Sequence, residues 1–328
     1  MTSLKIAVYG ATGAQGSAVV QNLLDVGHVV RAVARKPGTI AGVESVAADL
    51  ADVDALVEGY TGVDGVVLQL PMVFDETAFI QARTVLAALG KAKVPRVVFN
   101  QGGALPDEPV GMPYVDARVL MSAGLPDVVE TVAITGPVLT YMENLAAPWS
   151  TPLIDAGEVV YPLPGELPVP WVAASDVAAV IVDLLVQDAP PSVRVVAGPE
   201  DLTGDQVAAV LGSSVRWRTI TPAEYGELLR PIAGSEAAEG IAALYANPVA
   251  PPDQAIVLRG TTTLKQWLTG RSGADNLRPS RLVPCDESGT AQAEEGVEWF
   301  SAYWVGGRGR VAAWCDRGDR FGQRRVRA

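Results

Sequence analysis

The segment Ile6-Ala-Val-Tyr-Gly10-Ala-Thr-Gly13-Ala-Gln-Gly16-Ser-Ala-Val-Val20 constrains the fold more than any other part of the chain. A short apolar run, Leu4 to Tyr9, reads as a buried strand. A helical pattern follows, with Val19, Val20, Leu23 and Leu24 on one face. Between them lie three glycines spaced G-x-x-G-x-x-G, each with its own physical task. Gly10 permits the tight turn out of the strand, Gly13 lets the backbone come close to a pyrophosphate, and Gly16 lets the helix pack closely on the sheet. The N–H groups at the helix start, at the positive end of its dipole, then face an anion. A glycine-rich turn with no ligand is the alternative, but strand, glycines and helix stand here in the order that dinucleotide binding requires. The expected contacts are Gly10, Thr12, Gly13, Ala14, Gln15 and Gly16.

The rest of the first half alternates strands and helices. Strands are expected at 28–34, 44–49, 65–70, 96–100 and 128–135, with a seventh at 193–198. Helices are expected at 52–60, 75–93 and 117–123. This rhythm predicts an α/β fold, a Rossmann-type doubly wound parallel sheet with right-handed crossovers. Ligands then sit at the carboxyl ends of the strands. Asp49 and Leu50 fall where adenine would lie, and Gln69, Leu70 and Pro71 line the middle of the cofactor. Asn100, Gln101 and Gly102 face the nicotinamide side, with Pro137 ending the sixth strand nearby. The second strand carries Arg31, Arg35 and Lys36 and no acid at its end. An acid there would grip the 2′-hydroxyl of NAD, whereas arginine accommodates a 2′-phosphate, so NADP(H) is expected over NAD(H) with Arg35 as the clamp.

His28 is the only histidine and is expected as a surface turn residue. With that residue placed in a surface turn no His-assisted nucleophile is expected, a single histidine cannot build a His₂-type metal site, and no metal is expected. Net charge is −12, which makes nucleic acid and anionic membranes poor partners. No apolar run approaches the ~20 residues of a membrane helix, and Lys5 interrupts the first one. These features predict a cytoplasmic protein acting on a small molecule, with a homodimer left open. The two cysteines, Cys285 and Cys315, give no reason for a disulfide framework.

The order of elements, the Gly10–Gly16 loop, the strand His28-Val-Val-Arg31-Ala-Val-Ala-Arg35 and the segment Ala123-Gly-Leu-Pro126…Gly136-Pro137…Met142-Glu-Asn-Leu145 resemble the NmrA-like group of atypical short-chain dehydrogenases/reductases. The resemblance runs over about residues 3–268, and the Met142–Leu145 segment narrows it to this group. It implies an NAD(P)H-dependent oxidoreductase of quinones or similar conjugated compounds, or an NADP(H)-sensing regulator without catalysis. Met142 and Asn144 are expected near the substrate, at the start of another helix. The segment Trp171 to Asp176 looks like the family's turn into a helix, with Asp176 orienting the substrate-side loop. The residue-level alternative is that Ser175 or Asp176 is an ordinary helix N-cap.

In most short-chain dehydrogenases a tyrosine gives the proton and a lysine four residues on lowers its pKa. Here Tyr114 is followed by Arg118, which stays charged but cannot relay a proton. Tyr114 and Tyr141 are the candidate proton sources, and solvent is the third. The missing lysine disfavours a nucleotide-sugar epimerase.

The division expected is 1–150 for the nucleotide-binding domain, 151–270 for a substrate-side lobe with strands and helices returning to the sheet, and 271–328 for an atypical tail. Thr203-x-x-Gln206 and Thr221-Pro-Ala-Glu224 are capping boxes for helices at 206–211 and 223–231, with further helices at 235–246 and 263–268. Four prolines between Tyr161 and Pro170 predict a stiff loop near the cleft. The tail holds ten arginines, eight acids and no lysine, with poor periodicity, and is assigned no function.

Overall fold

The structure, a computed structural model, describes residues 3–36 and 40–273. Eight strands form one sheet: β1 (Lys5–Tyr9), β2 (Val29–Ala34), β3 (Glu44–Ala47), β4 (Gly65–Leu68), β5 (Arg96–Asn100), β6 (Thr131–Pro137), β8 (Val193–Ala197) and β10 (Val257–Arg259). Their order is β10-β8-β6-β5-β4-β1-β2-β3, and every pairing is parallel. The chain runs outward from β1 to β2 and β3, then returns to β4 on the other side. The crevice at the carboxyl ends of β1 and β4 is therefore the topological switch point.

Alternation along the strands supplies both faces of the sheet. Ile6 and Val8 point to one layer, where they meet Val19, Val20 and Leu23 of α1 (Ala14–Asp25) and Val177 and Ile181 of α6 (Ala174–Val186). Ala7 points to the other layer, with Leu56 of α2 (Val53–Tyr60), Val85 and Leu89 of α3 (Thr77–Ala92) and Met121 of α4 (Pro113–Val128). Strands covered on both sides read as continuous apolar runs, which is why β4 (Gly-Val-Val-Leu) was legible despite its length.

A smaller lobe caps the carboxyl edge of the sheet. β7 (Glu158–Tyr161) pairs in parallel with β9 (Arg216–Thr219), beside α5 (Thr151–Asp155), α7 (Gly204–Leu211), α8 (Pro222–Ala233), α9 (Ser235–Ala246) and α10 (Leu264–Gly273). Both expected capping boxes form, at Thr203–Gln206 and Thr221–Glu224. Thr263 and Gln266 make the same reciprocal bonds ahead of α10.

Several expectations are corrected. β7, β9 and β10 add to the expected strands: each has only three or four residues, and β9 is the polar run Arg-Trp-Arg-Thr. The helix at 117–123 is much longer, running through Pro126, while α8 runs through Pro231. The helix expected to open at Tyr141 is a single 3₁₀ turn, Met142–Ala146, because Pro148 lies too close for a longer helix. His28 is not a surface turn residue: it is buried, and its Nδ1 accepts the Leu4 amide at 3.2 Å. Neither Ser175 nor Asp176 is an N-cap, since that place falls to Ala173. Asp176 instead accepts the amides of Thr261 (3.0 Å) and Thr262 (2.9 Å) and the Thr262 hydroxyl (2.7 Å), which holds the loop before α10. Of the atypical tail, 271–273 close α10. The remainder, with Cys285 and Cys315, lies outside the described residues.

Candidate active site

The turn after β1 is built as its glycines require. Gly10 has φ of 75°, in the left-handed region, and its amide bonds to the Val33 carbonyl of β2. Gly13 bonds back to Gly10 and is the N-cap of α1. A Cβ on Gly16 would stand 2.0 Å from the Gly10 carbonyl oxygen, so only glycine lets the helix approach the turn this closely. The intrahelical ladder begins with Ser17 N–H to Gly13 O, which leaves the amides of Ala14, Gln15 and Gly16 without carbonyls four residues back. No acidic side chain lies in the first turn and no side chain caps it. Positive dipole, bare amides and a tight turn make a cradle that suits a diphosphate.

Around this turn the structure joins three of the expected residues directly. Asn100 Nδ2, at the end of β5, donates to Gln15 Oε1 at 2.8 Å and to the Tyr141 hydroxyl at 3.2 Å. Tyr141 in turn donates to Gln15 Oε1 at 3.1 Å, and Asn100 Oδ1 accepts the Gly102 amide. All three side chains are buried. Thr135, the register partner of Asn100 on β6, carries a buried hydroxyl with no hydrogen-bond partner among the described residues.

Arg118 brings together another set. It is 2% exposed, and its guanidinium donates to the carbonyls of Leu70, Pro71, Gln101 and Tyr114. Its Cζ also lies 3.6 Å from the centre of the Tyr114 ring. Arg118 thus does not stand in for the lysine of most short-chain dehydrogenases, because four of its five N–H groups bond main-chain carbonyls. Burial pulls its pKa down, opposed by Tyr114, and arginine nonetheless stays charged. The Tyr114 ring stacks on Phe74 at 5.0 Å, and its hydroxyl faces Gly102 at the carboxyl end of β5.

Met142 and Asn144 lie on the 3₁₀ turn, both buried. Asn144 Nδ2 donates to Thr140 Oγ1 (2.9 Å) and the Tyr161 hydroxyl (3.2 Å), and Tyr161 meets the Tyr245 hydroxyl at 2.9 Å. Burial pushes the Tyr161 phenol up, against hydrogen bonds with Thr140, Tyr245, Asn144 and Tyr225. Glu143 fastens the same turn to its surroundings by accepting the Ala174 amide and the Trp267 indole N–H, and burial raises its carboxyl pKa. No local pattern points to Tyr161 or Tyr245, whose partners lie on elements far apart in the chain.

The remaining expected residues are more dispersed. Arg35 and Lys36 are exposed just beyond β2, whereas Arg31 faces elsewhere. It is buried, bonds the carbonyls of Gly59 and Thr61 and pairs with Glu44, so it is not part of a phosphate clamp. Asp49 accepts the Ala51 amide in its own turn. The side chains of Leu50 and Leu70 are core, leaving only their main chain for a ligand. Gln69 and Pro71 are half-buried and Pro137 is buried at the end of β6. Among the described residues no group of three or more His, Cys, Asp or Glu could hold a metal, and no helix is long and apolar enough to cross a membrane.

The NmrA-like family model matches residues 2–246. The chain belongs to the NmrA-like family. An NAD(P)H azoreductase from Xenophilus azovorans is 31% identical to this NmrA-like chain over 285 residues, covering 81% of the chain and 93% of the relative. The fold matches that of a triphenylmethane reductase from Citrobacter sp., with a TM-score of 0.63 at 18% identity over 81% and 98% of the two chains. It also matches an NADPH-dependent quinone oxidoreductase from Escherichia coli solved with NADPH, with a TM-score of 0.59 at 20% identity over 81% and 99%.

Proposed function

We propose that this NmrA-like protein is an NAD(P)H-dependent oxidoreductase of a quinone, azo or similarly conjugated small molecule, with NADP(H) preferred over NAD(H). The observation that carries the reading is the contact between Gly16 and the Gly10 carbonyl. It forces the start of α1 against the switch point, where amides and dipole suit a dinucleotide. Bound there, the nicotinamide cofactor would supply hydride. Main-chain groups of residues 10–16 would hold the diphosphate, and Arg35 and Lys36 would meet the 2′-phosphate of the ribose. The ends of β4 and β5, with Asn100, Tyr141 and Pro137, would wall the nicotinamide side. Tyr114 or Tyr141 would hold the proton that follows hydride, and Met142 and Asn144 would border the substrate.

One observation favours a second reading, a non-catalytic NADP(H) sensor. Arg118 gives four of its five N–H groups to main-chain carbonyls and cannot relay a proton, so it does not do what the lysine of most short-chain dehydrogenases does for its tyrosine. Oxidation of NADPH with a panel of quinones and azo dyes separates the two. Turnover supports the reductase. Tight, redox-selective NADP binding without turnover supports the sensor.

A further inference from the structure

We infer that Arg118 is a positioning residue of the cleft: one buried guanidinium that holds the ends of two neighbouring strands and the Tyr114 ring in a single arrangement. The inference rests on the reductase reading for its catalytic consequence, but the clamp itself rests on geometry. Nε donates to Gln101 O at 3.1 Å, beyond β5, and Nη1 to Tyr114 O at 2.9 Å. Nη2 reaches Leu70 O and Pro71 O, beyond β4. The guanidinium plane also covers the Tyr114 ring.

Among the described residues no carboxylate pairs with Arg118. Asp116, one half-turn earlier, spends both oxygens on the amides of Val110 and Gly111. Burying a cation is costly, and here only carbonyl dipoles and a ring face offset the cost. An apolar side chain of similar volume would fill the same space without that penalty. What it would lack is the grip on three separate stretches of chain. Lysine would lack it too, since an ammonium is a point charge without the planar fork or a stacking face.

Two of the three stretches are ones expected to border the cofactor, and the third carries Tyr114, a candidate proton source. The Tyr114 hydroxyl stands over Gly102, and its ring is stacked on Phe74, which packs against Gly240 of α9 so tightly that a Cβ there would fall 2.1 Å from the ring. Arg118 therefore joins the strand ends to the lobe that closes over them. Its loss loosens residues 70–71 and 101–102 together and lets the phenol drift from the reacting centre.

The test compares Arg118→Met, Arg118→Ala and Arg118→Lys with the unmodified chain, below the lowest unfolding midpoint. NADPH oxidation with menadione gives kcat, fluorescence titration gives the NADPH Kd, and hydrogen exchange reports segments 69–73 and 100–104. Faster exchange in both segments at once is expected, with a fall in kcat of at least tenfold that exceeds the rise in Kd. Millimolar methylguanidinium restores Arg118→Ala but not Arg118→Met. Arg118→Lys behaves like Arg118→Met, and carries the comparison if the methionine variant fails to fold. A folded variant with unchanged kcat and unchanged exchange overturns the inference. Exchange needs neither cofactor nor turnover. If the unmodified chain oxidises no NADPH, the reductase reading fails while exchange still decides for or against the clamp.

Discussion

Asn100 Nδ2 donates to Gln15 Oε1 across 2.8 Å, joining residues 85 apart in the chain. One sits in the first turn of α1 and the other ends β5, with β4 between their strands, so the bond spans the switch point. Tyr141 closes the triangle from the 3₁₀ turn, so that one buried network ties the glycine turn to the substrate side.

Each member of that network takes a buried hydrogen-bond partner from the other two when removed. Asn100→Ala is expected to destabilise the fold by about 1–3 kcal/mol, the cost of unmade buried hydrogen bonds. In urea unfolding, Asn100→Ala and Tyr141→Phe should couple by at least ~0.5 kcal/mol in a double-mutant cycle. Additive losses would show that the triangle is not an energetic unit.

Gly16→Ala puts a methyl group where the Gly10 carbonyl already stands. The turn must shift, moving the amides that face the diphosphate. The NADPH Kd is expected to rise at least tenfold, by fluorescence titration, in a variant whose circular dichroism stays native. An unchanged Kd would place the dinucleotide elsewhere.

Arg35→Ala removes the guanidinium nearest the end of β2. A charged pair of this kind contributes about 1.5–3 kcal/mol, so NADPH affinity should fall roughly ten- to hundredfold while NADH affinity holds. Equal losses for both nucleotides would remove the case for NADP preference.

The glycine turn, the alternation of strands with helices and the capping boxes were legible because each is a local pattern with a local cause. Arg35 stands out in the sequence by its place just past the strand, but what Arg31 does was not legible that way. Its pairing with Glu44 on β3 and its reach to the end of α2 come only from tertiary structure. His28 was misjudged for the same reason, since its burial comes from the Leu4 segment folding across it. Tyr161, Tyr245 and the carbonyls that hold Arg118 meet only through tertiary structure, and β7 and β9 are too short to show a period.

Asp176 holds the loop before α10 by three hydrogen bonds to one carboxylate. Asp176→Ala orphans two amides and should cost about 1.5–3 kcal/mol, as hydrogen bonds to a charged group do. Limited proteolysis is expected to open the chain first at 259–263. Cleavage elsewhere at the unmodified rate would contradict this.

The fork between Arg259 on the edge strand β10 and Asp201 sets a pH window. Arg259 lowers the Asp201 carboxyl below its ordinary 3.8, so the pair's contribution is fully present above 3.8 and fades as pH falls through the lower folded value. Being half-exposed, the pair is worth ~0.2–1 kcal/mol. Asp201→Asn should therefore lower the thermal midpoint at pH 7, and the gap to the unmodified chain should close in acid. A gap that widens in acid would reverse the sign.

The most direct measurement is calorimetric titration of the purified chain with NADPH and with NADH. Saturable binding, tighter for NADPH and weakened at least tenfold in Gly16→Ala, is the predicted result. No heat with either nucleotide would contradict the account at its foundation.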